Sequence, residues 1–419
     1  MQATKPDSVI VVGAGHIGIA CAHYLQREGL KVTVIDQGEL GGACSRSNCG
    51  FLVPSHVLPL TTPDAIGKGL LSLLQPRAAF RIKPQLRPEL LRWMLAFGRR
   101  CTHRQMLAAA RVLHSLLDVS IDEYHALLQD PQLACEWQRQ GMLFVFRSER
   151  ELGKFGDTDA LLTREMGVTA KYIKGSELTA FEPALLDDLA GAYFYEDDCH
   201  LRPDKLNTSW SNMLRAQGVR FIEQCKLESI EKKGGRITQL VTSRGPLTAD
   251  RYVFATGAWS ASWSAALECN IPIEPGKGYS VTMTRPATMP SRPLLMPEKH
   301  IGITPFNNGY RIASMMEFAG FDTRIPDFRI RQLKDSARPF LKEPVGPVTE
   351  ETWYGWRPMT ADSLPIIGRL PSIGNALLAA GHNMLGLTLA PVTGRIIADL
   401  VAERPTLAIA EAISPEPGI

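Results

Sequence analysis

The chain has 419 residues and a mass of 46.1 kDa, with 45% hydrophobic and 21% charged residues. These are globular proportions, and they exclude disorder and fibrous structure. Lys and Arg exceed Asp and Glu by 46 − 43 = 3, too small a surplus to point to a nucleic-acid partner.

The opening residues Met1–Asp7 show no charged region followed by an apolar stretch, so no secretory signal is expected. No run approaches the ~18 apolar residues that a membrane span needs. None of the 8 cysteines forms a Cys-x-x-Cys pair. They read as free thiols in a reducing cytoplasm, and no metal site is expected.

The first element is Ser8-Val-Ile-Val-Val12, a β-branched apolar run that predicts a buried strand. Gly13-Ala14-Gly15-His16-Ile17-Gly18 follows, and then a helical pattern that closes at Gly29. Val32-Thr-Val-Ile35 predicts a second strand, ending in Asp36 and Gln37. Gly13 permits a tight turn, Gly15 lets the backbone approach a pyrophosphate, and Gly18 lets the helix pack on the strand. The helix N-terminus offers N–H groups and a positive dipole end to phosphates. A carboxylate at position 36 suits a ribose diol and disfavours a 2′-phosphate. A lone Gly-x-Gly-x-x-Gly is weak evidence; strand, helix, strand and acid together make a strong dinucleotide signal.

Three later segments favour FAD over NAD. Cys44-Ser45-Arg46-Ser47-Asn48-Cys49-Gly50 follows the second strand and suits a loop against a large flat cofactor. Ala249–Ser260 reads as a strand, a Thr256-Gly257 turn and a helix start containing Trp259. An apolar strand, Ala376–Ala380, leads through Gly381-His-Asn-Met384-Leu385-Gly386 into a helix from Leu387 and Thr388 to Val401. That is a second helix N-terminus aimed at negative charge.

These motifs, with Lys277-Gly-Tyr-Ser280 and Trp356-Arg-Pro-Met-Thr-x-Asp362, resemble the D-amino-acid oxidase-like family of FAD-dependent oxidoreductases. The resemblance is nearest to its D-amino-acid dehydrogenase branch, with glycine and sarcosine oxidase-type enzymes next. It runs from Val9 to about residue 400.

The resemblance implies an α/β fold with an α+β second domain. A Rossmann-like FAD-binding domain (1–60, 190–272, 355–419) is interleaved with a substrate domain of antiparallel sheet plus helices (61–189, 273–354). It implies that residues 45–50 approach the flavin ring or ribityl chain. Residues 384–388 would present backbone N–H groups to the pyrimidine side, and the Leu227 backbone would meet adenine. FAD is expected to be non-covalent, although Cys49 lies near the ring position. The tail after Glu403 reads as frayed.

The reaction implied is removal of two electrons and a proton from the Cα of a D-amino acid, cyclic ones such as D-proline or hydroxyproline included. Hydride would pass from Cα to flavin N5, the imino acid would hydrolyse to a 2-oxo acid, and a quinone-type acceptor would take the electrons. The alternatives are an oxidase using O₂, a 2-hydroxy-acid dehydrogenase and a non-catalytic flavoprotein subunit. A carboxylate clamp is required, and Arg357 is the candidate. Trp353–Pro358 reads as a strand, so Trp353, Gly355 and Arg357 share a face; pairing of Arg357 with Asp362 is the structural alternative. Glycine oxidase-like relatives add a tyrosine where Gly302 stands and a basic residue where Met384 stands. Tyr279 and His56 are the candidates to complete the catalytic set.

Pro88–Leu128 predicts a long helical stretch, basic at Arg92, Arg99, Arg100, His103, Arg104 and Arg111. A solvated face is the plain reading. Peripheral contact with the inner membrane is the second, because the dehydrogenase branch associates with membranes. Homo- and hetero-oligomers stay open.

Overall fold

The structure, a computed structural model, describes residues 6–67, 69 and 78–417. Two sheets carry the site. The first has six strands in the order Ile366–Arg369, Ala376–Ala380, Arg251–Phe254, Ser8–Val12, Lys31–Ile35 and Arg220–Ile222. All neighbours are parallel except the first pair. Its central strand, SVIVV, is covered on both faces, which is why it reads as a continuous apolar run.

The helix His16–Arg27 lies on this sheet and packs against the helix Ala390–Val401. The turn between first strand and helix is very tight. A Cβ on Gly18 would stand 1.8 Å from the Gly13 carbonyl oxygen, and Gly13 has φ +108°.

The second sheet runs Thr349–Thr360, Ile273–Thr284, Gly309–Phe318, Ile301–Pro305, Leu294–Met296, Met142–Phe146, Gly191–Tyr195 and Lys171–Lys174, with Phe80–Ile82 beside Gly309–Phe318. One face packs on the helix Asp327–Ala337 through Tyr279, Val281, Met283, Leu333 and Ala337. Sheet membership departs from the expected segment boundaries at two points. Gly191–Tyr195 pairs with Met142–Phe146 in this sheet, past the expected cut at 190. The expected cut at 355 falls inside the strand Thr349–Thr360.

Two further expectations are corrected. The long helix is two helices, Pro88–Arg100 and His103–Leu127, with Thr102 as N-cap accepting from Gln105 N at 3.3 Å. An N-capping hydroxyl at that point starts a new helix instead of continuing the old one. The tail is tied down: Ala410 and Ile413 are buried, and Glu416–Pro417 pairs with Cys269–Asn270.

Gly18→Ala is expected to cost on the order of 3 kcal/mol or prevent folding, because the added methyl meets backbone that has nowhere to go. Thermal denaturation followed by circular dichroism checks this; a melting temperature within 2–3 °C of wild type, about 1 kcal/mol, would refute it.

Candidate active site

One cavity of about 1270 Å³ spans both sheets. It begins at the carboxyl ends of the parallel strands, lined there by Val12, Gly13, Gly15, Asp36, Ala255 and Thr256. In open parallel sheets this is where ligands sit. Gly15 is the N-cap of the helix His16–Arg27 and has no side chain of its own to cap it; Ser45 Oγ takes the His16 N–H. The other first-turn N–H groups can serve an anion.

Asp36 is held by two backbone donors. Ala14 N donates to Oδ2 at 2.7 Å and Gly38 N to Oδ1 at 2.8 Å. Each carboxylate oxygen keeps a free lone pair for an incoming diol. His16 N donates to Ser45 Oγ at 3.0 Å, while His16 Nε2 is buried without a partner. Burial pushes the His16 imidazole down to about 4.

Of the other expected cofactor residues, Ile17, Gln37, Leu227, Gly257 and Trp259 line the nucleotide side of the cavity. Ser45, Asn48, Cys49 and Gly50 line it from the loop after the second strand, and Met384, Leu385, Gly386 and Leu387 from the approach to the last long helix. Five do not line it. Ala14 contributes its N–H to Asp36, and Gly18 is packed on Gly13. Ser47 Oγ donates to Glu351 at 2.6 Å and Arg46 Nε at 3.2 Å, so both turn away. Thr388 Oγ1 donates to Phe51 O and accepts from Val53 N. The Leu385 N–H is also spent, on His382 O at 2.9 Å. The helix His103–Leu127 braces this approach: Tyr124 donates to Leu387 O at 2.7 Å and Ser120 to Thr388 O at 2.6 Å.

Arg357 lies in the same cavity. Its guanidinium rests on Gly278, where a Cβ would stand 2.2 Å from Nη1 and 2.6 Å from Cζ. Gly278 pairs with Gly355 across the strands, but the space beside Gly355 is taken by Trp353, whose ring a Cβ there would meet at 2.3 Å. Nη1 donates to Met315 O at 2.8 Å. Among the described residues no carboxylate pairs with it. Asp362, the structural alternative, instead accepts from Leu364 N at 3.0 Å. Burial pulls the guanidinium down from its usual value; the nearby Cys44 and Cys49 act the other way. Burial pushes the Cys49 thiol up to about 11, so it is protonated at neutral pH and a poor nucleophile.

Tyr279 also lines the cavity, but its side chain is turned away from Arg357. It is one residue beyond Gly278 and so points through the opposite face of the strand, into the core under helix Asp327–Ala337. Its hydroxyl donates to Glu317 Oε2 at 2.5 Å. His56 does line the cavity, stacks near Phe144 with ring centroids 5.4 Å apart, and keeps Nδ1 without a partner. Burial pushes it down to about 4, so it is neutral. The place of the missing tyrosine is filled: a Cβ on Gly302 would be 2.7 Å from the Phe51 ring. Sequence reasoning missed Phe51, Gly278 and the Met315 carbonyl as parts of the site. Gly278 had a signal in the Lys-Gly-Tyr-Ser run; a backbone carbonyl has none.

A family model described as FAD dependent oxidoreductase (DAO) matches residues 8–400. The chain belongs to this family. Its cofactor is FAD, and the residues above fit one: a helix start behind a glycine turn, a carboxylate held on backbone N–H groups, and a cavity running from both to Arg357. A protein named D-amino acid dehydrogenase from Vibrio atlanticus (strain LGP32) is 32% identical over 411 residues, covering 94% of this chain and 95% of its own. Another of that name, from Bradyrhizobium diazoefficiens, is 31% identical over 405 residues, covering 94% of each chain. The solved glycine oxidase from Bacillus cereus ATCC 14579 has TM-score 0.76 at 20% identity, covering 98% of each chain. L-proline dehydrogenase from P. horikoshii has TM-score 0.69 at 19% identity, covering 97% of this chain and 96% of its own. The last two are likenesses of fold.

Asp36→Ala is expected to weaken FAD binding roughly tenfold to a hundredfold, the loss of hydrogen bonds to a charged acceptor. Titration of apoprotein with FAD checks it, and unchanged affinity would place the ribose elsewhere. A second expectation concerns acid. Burial lowers His16, His23, His56 and His200 to about 4 and His382 to about 3. As pH falls from 6.5 towards 4, the unfolded chain binds protons that these folded histidines refuse. Stability is therefore lost by up to ~1.4 kcal/mol per pH unit for each histidine. Asp198, pushed up to about 7 by burial, opposes this as a single group. Melting temperature measured from pH 7 to 4.5 should fall steadily; a flat profile would contradict it.

Proposed function

We propose that the protein is an FAD-dependent D-amino-acid dehydrogenase that oxidises the Cα–N bond of its substrate to an imine, which hydrolyses to a 2-oxo acid. One observation carries the reading. Arg357 is a cavity guanidinium with no described carboxylate partner, and it shares that cavity with a dinucleotide fingerprint. A half-buried cavity arginine without an acid leaves its charge to be met by a ligand. The names of the relatives at about 30% identity support the amino-acid substrate and the dehydrogenase type.

Bound non-covalently, FAD would accept the hydride, which carries both electrons. The chain's own residues do the rest. Arg357 takes the substrate carboxylate in a forked contact and fixes the rotation about Cα. Phe51, Leu385 and Met384 wall the cavity with apolar surface, which favours substrates with apolar or cyclic side chains and excludes water. No residue near Arg357 needs to act as a base, provided the amine enters neutral. A second reading has one specific support. His56 is neutral with Nδ1 unpartnered, so it can accept a hydroxyl proton, which oxidation of a 2-hydroxy acid would use.

The acceptor proposed is a quinone, reached at a membrane surface. The helix Pro88–Arg100 exposes Leu91 and Leu95, 58% and 55% accessible, beside exposed Arg92 and Arg99. Its inner side, Trp93, Met94 and Phe97, lines the cavity. Such a helix suits the face of an anionic bilayer. Among the described residues no helix is long and apolar enough to cross a membrane.

The test is anaerobic bleaching of the flavin by a panel of D- and L-amino acids, prolines, N-methylglycine and 2-hydroxy acids. D-amino acids should reduce it fastest; reduction by 2-hydroxy acids alone would favour the second reading. Arg357→Leu should lower kcat/KM roughly a thousandfold with FAD retained, because the carboxylate is then buried unpaired. Arg357→Lys should be milder, since an ammonium cannot make the forked contact. A leucine variant within about tenfold of wild type, a loss below ~1.4 kcal/mol, would make Arg357 structural.

A further inference from the structure

The Met315 carbonyl that orients Arg357 is placed by an irregularity in the sheet. Lys277 pairs with Glu317, and Tyr279 pairs with Ser314. Met315 and Met316 therefore face one residue, Gly278. This is a β-bulge, a feature that re-aims groups beside functional sites. Met315 sits at φ +66°, a left-handed conformation that a side chain adopts at a cost. The bulge turns its carbonyl onto Arg357 Nη1.

A strained bulge persists only where its flanks are held. Here one flank is tied across the two strands. The Tyr279 hydroxyl, on the strand Ile273–Thr284, donates at 2.5 Å to Glu317 Oε2, on the strand Gly309–Phe318. Arg329 Nη2 donates to the other oxygen at 2.5 Å, and Arg81 Nη1 approaches it at 3.5 Å. Tyr279, Glu317 and Arg329 are 2%, 7% and 0% exposed. Burial works to raise the Glu317 carboxyl, but the bonds from Tyr279 and Arg329 hold it below the usual carboxylate range. It is a fixed anion. Lys277 sits over the Tyr279 and Tyr354 rings, 5.1 and 4.8 Å from their centroids, and donates to Arg324 O.

We infer that Tyr279 and Glu317 are positioning residues for Arg357: their hydrogen bond locks the Met315 bulge, and the bulge sets the carbonyl that orients the guanidinium over Gly278. The inference rests on the reading of Arg357 as the carboxylate-binding residue. Its consequence is specificity. With one N–H spent on Met315 O, the guanidinium is held in a plane and offers its remaining donors to an acceptor-only group. A carboxylate satisfies them; an α-amide, with an NH₂ of its own, does not.

Tyr279→Phe removes the hydroxyl and keeps the ring. FAD-loaded wild type, Tyr279→Phe, Arg357→Leu and the double variant are compared on the best D-amino acid and on its α-amide. Tyr279→Phe should lower kcat/KM for the acid about tenfold, mostly through KM, and leave the amide nearly unchanged. In the Arg357→Leu background it should have no further effect, because the two act through one contact. FAD content should stay at the wild-type level. An unaltered acid-to-amide ratio in Tyr279→Phe, or an equal fall with both substrates, would overturn the inference and leave Tyr279 a packing residue. If Arg357→Leu itself keeps the preference for the acid, the carboxylate-binding reading is what fails. Glu317→Gln should act in the same direction and more strongly. If the buried Arg329 then prevents folding, the phenylalanine variant still decides.

Discussion

The pairing of Ile273–Thr284 with Thr349–Thr360 is the constraint on which the site depends. The two strands run in register from Ile273 opposite Thr360 to Val281 opposite Thr352. Strand alternation then divides their side chains into two sets. Gly276, Gly278 and Ser280 face the cofactor loop, where Ser280 Oγ donates to Ser47 O at 2.8 Å. Lys277, Tyr279, Val281 and Met283 face the other way. A slip of one residue would exchange the sets, putting Lys277 or Tyr279 where Arg357 has its space.

Three partly or fully buried arginines show how charge is managed around that pairing. Arg329 meets a carboxylate directly, at 2.5 Å from Glu317. Arg311 is bound to Thr282 Oγ1 and Asn48 O, with Glu351 and Asp204 at 3.8 and 3.9 Å. Both are explained within the fold. Arg357 has a backbone carbonyl and two protonated thiols nearby. Charge imbalance at one of three similar residues sets Arg357 apart from Arg329 and Arg311.

The elements that read well in the sequence were those with local causes. SVIVV and ALLAA are apolar runs, and each is a strand at the expected place. The glycine turn at residues 13–18 announces its own geometry. The strand face of Arg357 was legible because a period of two is a local fact; the glycine under its guanidinium, Gly278, lies on another strand. The bond from Tyr279 to Glu317 was not legible, because choosing its face needs the register against two other strands. Phe51 and Met315 were invisible: one fills a space left by Gly302, 251 positions away, and the other acts through its backbone. The break at Thr102 was missed because the apolar period runs through it on both sides.

The order in which the chain is made bears on how the site can be assembled. The sheet that carries the dinucleotide turn near residue 13 is finished by Arg251–Phe254 and Ala376–Ala380. The helix His16–Arg27 packs on Pro203–Ala216 through His23 and Trp210, and on Ala390–Val401 near the far end of the chain. On a ribosome, the first β-α-β unit must therefore wait for more than 200 residues of synthesis for its neighbour Arg251–Phe254, and for more than 350 for the helix Ala390–Val401. Contacts this distant in sequence form slowly, and the waiting segment exposes apolar strand edges. Cofactor loading is accordingly a step that follows translation, and chaperone protection of the early strands would raise the yield of loaded protein.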